Sequence, residues 1–379
     1  MKRFLFIITG MVFLLLFSMK PIMAIDPPED EASVAYNYFS GGGITVQGPA
    51  IILKKEMMGR MSIEAGGRMD MVSSASIDVV TQGSKFKDER KEIYLGGSHI
   101  WGDSLFSGIY SVSDESDYTS NTLSLGLTHD FLDRNVTVNL GVARSRDDVS
   151  SNANPSFGEK AFNRTAYRIG LTQSFSPRWL AQLNYELTAD DGYINSPYRS
   201  ALVGSTVQTA AQSPELYPNA RTGQAWVVRS THGFLRDLAL GGGLKSSVQV
   251  SYRYYQDTFD VQSHTGKLYY QYRFSPNKRF GISYRYYQQT AASFYGDVLP
   301  SSQLFKARDK ELSTYSSHGV GFSFRFEPRQ KKWGWFKNPY LKAGYNFLMF
   351  KYDDFSDPRS GQLYSWEANV FQISLGSTY

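Results

Sequence analysis

Cationic side chains recur at alternate positions in three neighbouring segments of the chain. Arginine or lysine stands among tyrosines and valines in SVQVSYRYYQDTF (247–259), KLYYQYRF (267–274) and RFGISYRYYQQT (279–290). Four of these cations are Arg253, Lys267, Arg273 and Arg285. Guanidinium and ammonium groups bind oxyanions through charge-assisted hydrogen bonds. If adjacent elements bring the four together, they form one basic wall that favours anions.

A second arrangement is open for the same cations. They could pair across an interior with carboxylates such as Glu64, Asp70 and Glu186. Because an unpaired interior charge is costly, the residues alone favour this pairing. The charged residues that alternation assigns to the polar side are Glu64, Arg68, Asp70, Glu92, Arg168, Glu186, Arg253, Lys267, Arg273, Arg285 and Arg325.

The longest polar segment, 191–223, offers another set of residues. If it folds inward over a wide opening, Tyr198, Arg199 and Arg221 become candidate constriction residues. If it folds outward, the segment is an external flap. Long loops of this kind carry function more often than the elements that they connect.

Aspartates gather in several of the polar links. Carboxylate oxygens are the ligands that calcium and other hard cations prefer, so these residues suggest a cation-binding rim. Aspartate is also common in turns because its side chain bonds the local backbone, and we favour that interpretation. The residues are Asp114, Asp117, Asp190, Asp191, Asp257, Asp353 and Asp354.

Catalytic and cofactor signatures are scarce. The chain has no cysteine, which excludes thiolate chemistry and cysteine metal sites. Its five histidines have no partner at metal-ligand spacing within a strand. We therefore expect no cofactor, no metal and no enzymatic activity. Serine–histidine pairs in STHG (230–233) and SSHG (316–319) leave an outer-membrane hydrolase as an alternative.

The elements that must position these residues are strands with two different faces. Val248, Val250 and Tyr252 alternate with polar neighbours, and strict alternation predicts a strand. Most such segments approach the ~9–11 residues that a tilted strand needs to cross a membrane. The sixteen predicted strands are 33–40, 46–57, 60–72, 91–101, 104–114, 120–130, 135–147, 164–176, 178–190, 224–234, 246–258, 263–274, 279–291, 313–326, 339–352 and 366–379.

The links between these segments mostly alternate between short and long. Bacterial outer-membrane barrels have short periplasmic turns and long outer loops, whereas a soluble β-sandwich, the alternative, has no reason to segregate its links. Tyrosine and phenylalanine dominate the apolar face, as the aromatic girdles of such barrels require. The pattern predicts an all-β transmembrane antiparallel barrel of about 16 strands whose apolar face contacts outer-membrane lipid.

The first 24 residues have the pattern of a cleaved secretory signal peptide. A basic start precedes an apolar run that ends at the small residue Ala24, although a retained anchor is the alternative. The formal net charge of +5 would fall by three on loss of Lys2, Arg3 and Lys20. A nearly balanced mature barrel of residues 25–379 gives no reason to expect a nucleic-acid partner. We expect export to the outer membrane of a Gram-negative-type envelope.

Two further segments suggest partners. The chain ends on NVFQISLGSTY, with Phe371, Ile373 and Tyr379 on one face, so we expect the last strand to be recognised by the barrel assembly machinery. The link 327–339, EPRQKKWGWFKNP, combines tryptophans with basic residues. Such a composition favours an interfacial anchor, with a docking site for a periplasmic partner as the alternative.

Several blocks of the sequence resemble a known family. The most specific is QSFSPRWLAQLNYELTADDGYINSPYR within 163–199, and SDESDYTSNTLSLG (113–126), SSASIDVVT (73–81) and YNYFSGGG support it. The chain is similar over almost all of its mature length to the bacterial family catalogued as domain of unknown function 3570. The resemblance implies an outer-membrane protein and assigns no catalytic residues.

These observations together favour a passive channel for small polar or charged solutes. Sixteen strands leave room for a water-filled bore, whereas eight do not. A non-transporting barrel that acts as a scaffold for a periplasmic or surface complex is the alternative.

Overall fold

The computed structural model describes residues 29–74, 86–237, 243–328, 332–333 and 336–379, so the expected signal peptide lies outside the described residues. The strands are β1 (Glu31–Gly41), β2 (Ile44–Met57), β3 (Met61–Ser74), β4 (Phe86–Trp101), β5 (Ser104–Asp114), β6 (Tyr118–Phe131), β7 (Val136–Val149), β8 (Lys160–Ser176), β9 (Trp179–Gly192), β10 (Ser200–Val203), β11 (Ala211–Pro214), β12 (Ala220–Asp237), β13 (Gly243–Asp257), β14 (Gln262–Ser275), β15 (Lys278–Gln289), β16 (Tyr315–Phe326), β17 (Lys332–Trp333), β18 (Phe336–Ser356) and β19 (Leu363–Thr378). Short 3-10 turns lie at Pro155–Phe157 and Lys310–Leu312. In the described ranges no helix has the length and apolarity to span a membrane.

The strands close into a single barrel. Each of the sixteen long strands pairs antiparallel with the next long strand along the chain. The ladder closes where β1 meets β19, from Ala32 opposite Ser377 to Gly41 opposite Ala368. Closure leaves no unpaired sheet edge, which is how a barrel satisfies its backbone hydrogen bonds. The predicted all-β barrel of about 16 strands is confirmed.

The two faces of the sheet differ sharply. Val250, Leu268 and Tyr284 lie side by side on β13, β14 and β15, and about half of each side chain is exposed. Leu125 and Val228 are exposed in the same way on β6 and β12. A contiguous exposed apolar face is the surface that contacts lipid in transmembrane barrels. The opposite face is polar and lines the bore.

The connections differ between the two ends of the barrel. At one end most links are short, and Gly102, with φ 59, occupies the two-residue link between β4 and β5, as tight hairpin turns require. The exception at this end is 327–335, between β16 and β18. At the other end lie the long connections 150–159, 193–219 and 290–314. We call these the turn end and the loop end.

Two of the long connections fold onto each other at the loop end. β10 and β11 form a hairpin within 193–219, and Val203 bridges to Leu299 while Leu216 bridges to Lys306. A small apolar core forms beneath them from the buried residues Tyr217, Phe259, Val261, Ala292, Phe294, Ala307 and Leu312. This core fixes the two connections relative to the barrel rim.

Candidate functional site in the bore

A band of cations crosses the polar face of β12–β15 halfway along the strands. Arg229 lies opposite Ser251, Ser251 opposite Lys267, and Lys267 opposite Arg285. Arg253 lies one step nearer the loop end on the same face. We call Arg229, Arg253, Lys267 and Arg285 the middle basic band.

The middle basic band has no carboxylate partner among the described residues. The guanidinium carbons of Arg253 and Arg285 lie 5.1 Å from the ring centres of Tyr255 and Tyr287, respectively. The Nη1 group of Arg285 also donates a hydrogen bond to Ser317 Oγ at 3.3 Å. An aromatic face attracts a cation without cancelling its charge. The band therefore presents its positive charge to the bore.

The carboxylates of the opposite wall pair with cations of that same wall. The pairs are Lys54–Glu64 at 3.7 Å, Arg68–Asp70 at 3.0 Å and Arg168–Glu186 at 3.6 Å. Arg68 and Arg90 also share Glu92, at 3.1 and 3.4 Å. Pairing between the basic wall and Glu64, Asp70 or Glu186, which the residues alone favoured, is absent from the described part of the structure. These carboxylates already have cations on their own or an adjacent strand.

A second row of cations lies near the turn end. Arg273 lies opposite Arg279, Arg279 opposite Arg325, and Arg325 opposite Lys342, across β14, β15, β16 and β18. We call these four residues the lower basic band. Glu327 Oε1 lies 2.6 Å from Arg325 Nε and 3.5 Å from Arg279 Nη2. Arg273 and Lys342 form no ion pair within the described ranges.

The two bands give the β12–β18 sector of the bore an excess of positive charge, while β2–β9 carry mixed ion pairs. Along β14 the bands are six residues apart, from Lys267 to Arg273, which is about 20 Å at the rise of an extended strand. Walls of one sign with low-dielectric surroundings concentrate counterions. The arrangement can attract anions and pass them between two heights of the bore.

All eleven charged residues assigned to the polar side from the sequence lie on one face of the ladder. Arg68 lies opposite Glu92, Arg168 opposite Glu186, and Lys267 opposite Arg285. The remaining members of the set, Glu64, Asp70, Arg253, Arg273 and Arg325, share that face through the same pairings. Their contact with a solute stays a prediction.

Sequence reasoning missed three members of the bands. Arg229 follows Trp226 and two valines, a run in which alternation is hidden, and Arg279 and Lys342 lie close to strand starts. The signal that could have found Arg279 and Lys342 is their register opposite Arg325. That register depends on long-range pairing, which one sequence does not display.

The constriction segment is shorter than expected, and one of its three candidates is misplaced. The β9–β12 ladder continues to Ala220, opposite Asp191, so the connection is 193–219 rather than 191–223. Arg221 therefore belongs to β12. Its guanidinium binds the carboxylate of Asp257, with Nη2 2.5 Å from Oδ2.

The other two candidates tie the connection 193–219 to neighbouring links. Tyr198 donates its hydroxyl proton to Asp117 and accepts the backbone N–H of Asn152 at 3.0 Å. Arg199 forms an ion pair with Asp309 in the connection 290–314. Burial and the Asp117 carboxylate raise the pKa of the Tyr198 hydroxyl, so it remains a donor at neutral pH.

The connection 193–219 reaches across the mouth at the loop end. It leaves the barrel between β9 and β12 and touches the β5–β6 link at Asp117. It also touches the β18–β19 link, where a Cβ added to Gly361 would lie 2.0 Å from Gln208 Nε2. Those two links are separated by ten long strands on the side where the connection leaves the barrel and by six on the other. The connection therefore narrows the opening.

The seven aspartates of the predicted rim do not form one site. Asp190 and Asp257 are buried and each binds an arginine of a neighbouring strand. Of the seven, only Asp117 belongs to a described group of three carboxylates close enough to share a cation, together with Asp88 and Glu115. Asp190 and Asp257 tie neighbouring strands together, and Asp257 also binds the local backbone, as the interpretation favoured from the sequence implies; a cation at the rim stays a prediction.

The serine–histidine pairs lie on the apolar face. Ser230 Oγ is 3.1 Å from His232 Nε2 and accepts a hydrogen bond from Trp179 Nε1 at 3.0 Å. His318 contacts the Tyr284 hydroxyl through Nδ1 at 2.8 Å. Within the described residues no carboxylate or amide contacts His232 to orient it, as the third member of a catalytic triad would.

An aromatic cluster near the loop end of the polar face was not anticipated from the sequence. Phe350 and Trp366 stack with ring centres 4.1 Å apart, and Trp366 Nε1 donates to the Tyr352 hydroxyl at 3.1 Å. Tyr352 and Tyr315 are buried where Tyr295 of the connection 290–314 packs on them. The cluster supports that connection from within the bore.

The fold resembles solved outer-membrane barrels. A bacterial polysaccharide outer-membrane secretin matches with a TM-score of 0.52 and 10% identity, over 93% of this chain and 98% of that chain. CdiB from Acinetobacter baumannii matches with a TM-score of 0.50 and 9% identity, over 92% of this chain and 60% of that chain. These likenesses concern the fold alone.

The sequence comparisons agree with the blocks that carried the resemblance. No curated protein matches the sequence. A family model described as protein of unknown function, DUF3570, matches residues 81–334, which is most of the barrel. The chain therefore belongs to the DUF3570 family.

Proposed function

We propose that the protein is a passive outer-membrane channel for small polar or charged solutes. The observation that carries the proposal is the middle basic band, whose four cations face the bore without a carboxylate partner among the described residues. Unpaired charges are stable only where water solvates them. A water-filled bore supplies that solvation.

In the proposed orientation the turn end faces the periplasm and the loop end faces outward. With sixteen strands, β1 begins and β19 ends at the turn end, as expected after export through a cleaved signal peptide. Intact-mass measurement of the envelope protein tests the cleavage, with a mature chain beginning at Ile25 as the expected result and a retained segment 1–24 as the contradicting one. We also propose that the last strand binds the assembly machinery. The segment 327–339, of which 329–331 and 334–335 lie outside the described residues, is proposed to anchor the barrel at the membrane interface.

Conductance in a planar lipid bilayer tests the channel directly. Purified, folded wild-type protein should insert and give discrete ohmic steps. A variant that lacks residues 204–210, which join β10 to β11 at the tip of the connection 193–219, should give larger steps, because that connection narrows the mouth. Folded protein that inserts without conducting, in both forms, would refute the channel.

The tethered loops support a second candidate, a barrel that serves as a scaffold rather than a conduit. The connections 193–219 and 290–314 share bridges, an ion pair and a buried core. A fixed surface of this kind suits a stable partner. Affinity capture from membranes, with wild type and the variant that lacks residues 204–210 of this surface, separates the two. A stoichiometric partner together with absent conductance would favour the scaffold.

The proposal gives Ser230 and His232 no catalytic role. S230A and H232A should therefore leave any hydrolysis of phospholipid vesicles by the purified barrel unchanged. Vesicle hydrolysis that both substitutions abolish would establish the hydrolase instead.

A further inference from the structure

A cavity of about 340 Å³ lies against the polar face near the turn end. Arg279, Arg325 and Lys342 of the lower basic band line it. Hydroxyl and amide groups complete the lining, from Tyr269, Gln271, Ser323, Gln372 and Ser374. Gly344 forms part of its wall, where the nearest atom to an added Cβ would be the Phe322 carbonyl oxygen at 4.0 Å. The volume is at the lower end of the ~300–1,000 Å³ typical of small-molecule sites.

The cations around this cavity exceed the carboxylates that contact them. Among the described residues, Glu327 alone forms ion pairs with the lower basic band. Lys342 Nζ and the guanidinium carbon of Arg325 lie 4.4 and 4.8 Å from the ring centre of Tyr340. The Tyr340 hydroxyl donates a hydrogen bond to Glu31 at 2.7 Å, and Glu31 forms no ion pair with these cations in the described ranges.

The donor set selects an oxyanion. Guanidinium groups offer paired N–H donors that match carboxylate and phosphate oxygens, and a charged donor bonds more strongly than a neutral one. The surrounding hydroxyls and amides can bond the remaining oxygens. The lower basic band has four cations, and Glu327 is the one carboxylate that forms ion pairs with them among the described residues. A bound anion with more than one negative charge would therefore balance the remaining positive charge.

We propose that the lower basic band binds small solutes that carry two negative charges on phosphate or carboxylate oxygens. This site specifies a class of solute for the proposed channel. The inference rests on the proposed function, because the solute would reach the site through the bore. The middle basic band, about 20 Å nearer the loop end along β14, lies on that path.

Equilibrium binding to the detergent-folded full chain tests the site. Inorganic pyrophosphate and succinate are titrated separately by calorimetry, in chloride buffer. We expect saturable binding of at least one probe, and which probe binds identifies phosphate or carboxylate as the chemistry. R279Q/R325Q should raise Kd by about tenfold or more, because charge-assisted hydrogen bonds to the probe are lost. Absence of saturable binding for both probes would overturn the proposal.

Two further variants separate a local site from general electrostatics. R144Q/R359Q removes two exposed cations away from the cavity and should leave Kd unchanged within about twofold. G344M fills the cavity without changing any charge and should weaken binding. Equal losses in R144Q/R359Q and R279Q/R325Q, or full affinity in G344M, would contradict a site at this cavity.

The binding measurement needs neither a membrane nor a current. A barrel that binds a probe but never conducts would refute the channel and retain the site. A barrel that conducts while no probe binds would retain the channel and refute the site.

Discussion

At the residue scale, one sector of the bore presents cations that lack carboxylate partners among the described residues. Arg229 shows the pattern most clearly: its Nη1 group donates to Gln182 at 3.1 Å, while its buried Nε atom has no hydrogen-bond partner. A buried donor without a partner costs free energy unless water or a solute reaches it. The middle basic band is therefore suited to exchange between water and passing anions.

Removal of this band should change ion selectivity. In R253Q/K267Q/R285Q the anion-to-cation permeability ratio, obtained from the reversal potential in a KCl gradient, should fall several-fold because the local anion concentration falls. The difference should shrink at high salt, where the Debye length is about 3 Å at 1 M. R359Q, which removes a cation exposed on the β18–β19 link, is the control and should keep the wild-type ratio. An unchanged ratio in the triple variant would show that the band does not face the permeating ions.

Tyr198 provides a second test at this scale, since it holds the connection 193–219 across the mouth. Y198F removes the hydroxyl that binds Asp117, so amide hydrogens of the connection should exchange faster while the strands keep their protection. The folded-state pKa of Tyr198 is raised above its ordinary value of about 10. The Tyr198–Asp117 hydrogen bond therefore contributes its full stability below the ordinary pKa of tyrosine. Its contribution is lost as pH rises through the higher pKa that Tyr198 has in the folded protein. Wild-type protection factors for these amides, corrected for the base-catalysed rise of the intrinsic exchange rate, that do not fall across this alkaline range would contradict the assignment.

At the element scale, each strand separates lipid from water by the side to which its residues point. Leu125 is half exposed on the apolar face of β6, and its neighbour Ser124 lies on the polar face opposite Ala143. Small residues at Gly126 and Gly141 leave room beside Ser124.

Arginine at these two adjacent positions should have unequal effects. L125R should lower the free energy of unfolding by about 2–4 kcal/mol if the residue lies near the bilayer midplane, whereas S124R should change it little. Urea unfolding in phospholipid vesicles, followed by tryptophan fluorescence, measures both. Equal destabilisation by the two substitutions would mean that the faces are wrongly assigned.

The loop end depends on an ion pair that joins two strands. The Asp257 side chain is 0% exposed and accepts hydrogen bonds from Arg221, from the Tyr255 hydroxyl and from the N–H groups of Phe259 and Val261. D257A leaves Arg221 without its partner and should cost roughly 3–5 kcal/mol of stability. D353A, at an exposed position near the end of β18, is the matched control and should cost less than about 0.5 kcal/mol. Equal unfolding midpoints for the two variants would contradict the role of Asp257.

Alternation predicted the strands and their faces because a period of two is visible within a single segment. It placed Arg253, Arg285 and Arg325 on the polar face without knowledge of the pairing. The rows that unite Arg229 with Lys267, or Arg325 with Lys342, depend on register between strands. The contact of Tyr198 with Asp117 joins loops 81 residues apart in sequence. Such non-local contacts have no periodic signature, so the loops and the cavity could not be predicted.

At the scale of the whole molecule, the barrel has an apolar outer surface and a polar inner surface, and positive charge is concentrated on one sector of the inner surface. Closure through β1 and β19 satisfies the strand edges, the apolar face meets lipid, and the polar face carries two cationic bands. The loop-end connections narrow one opening, and the lower basic band lies near the other. Solutes that traverse the barrel would meet these features in turn.

The absence of cysteine from the chain permits the most direct test of this account. Ser283 and Ile282 are adjacent on β15, with Ser283 on the polar face and Ile282 on the apolar face. In proteoliposomes a small, charged, membrane-impermeant thiol reagent should label S283C rapidly and leave I282C unlabelled. Labelling of I282C with protection of S283C would contradict the water-filled bore and the assignment of every lumenal residue.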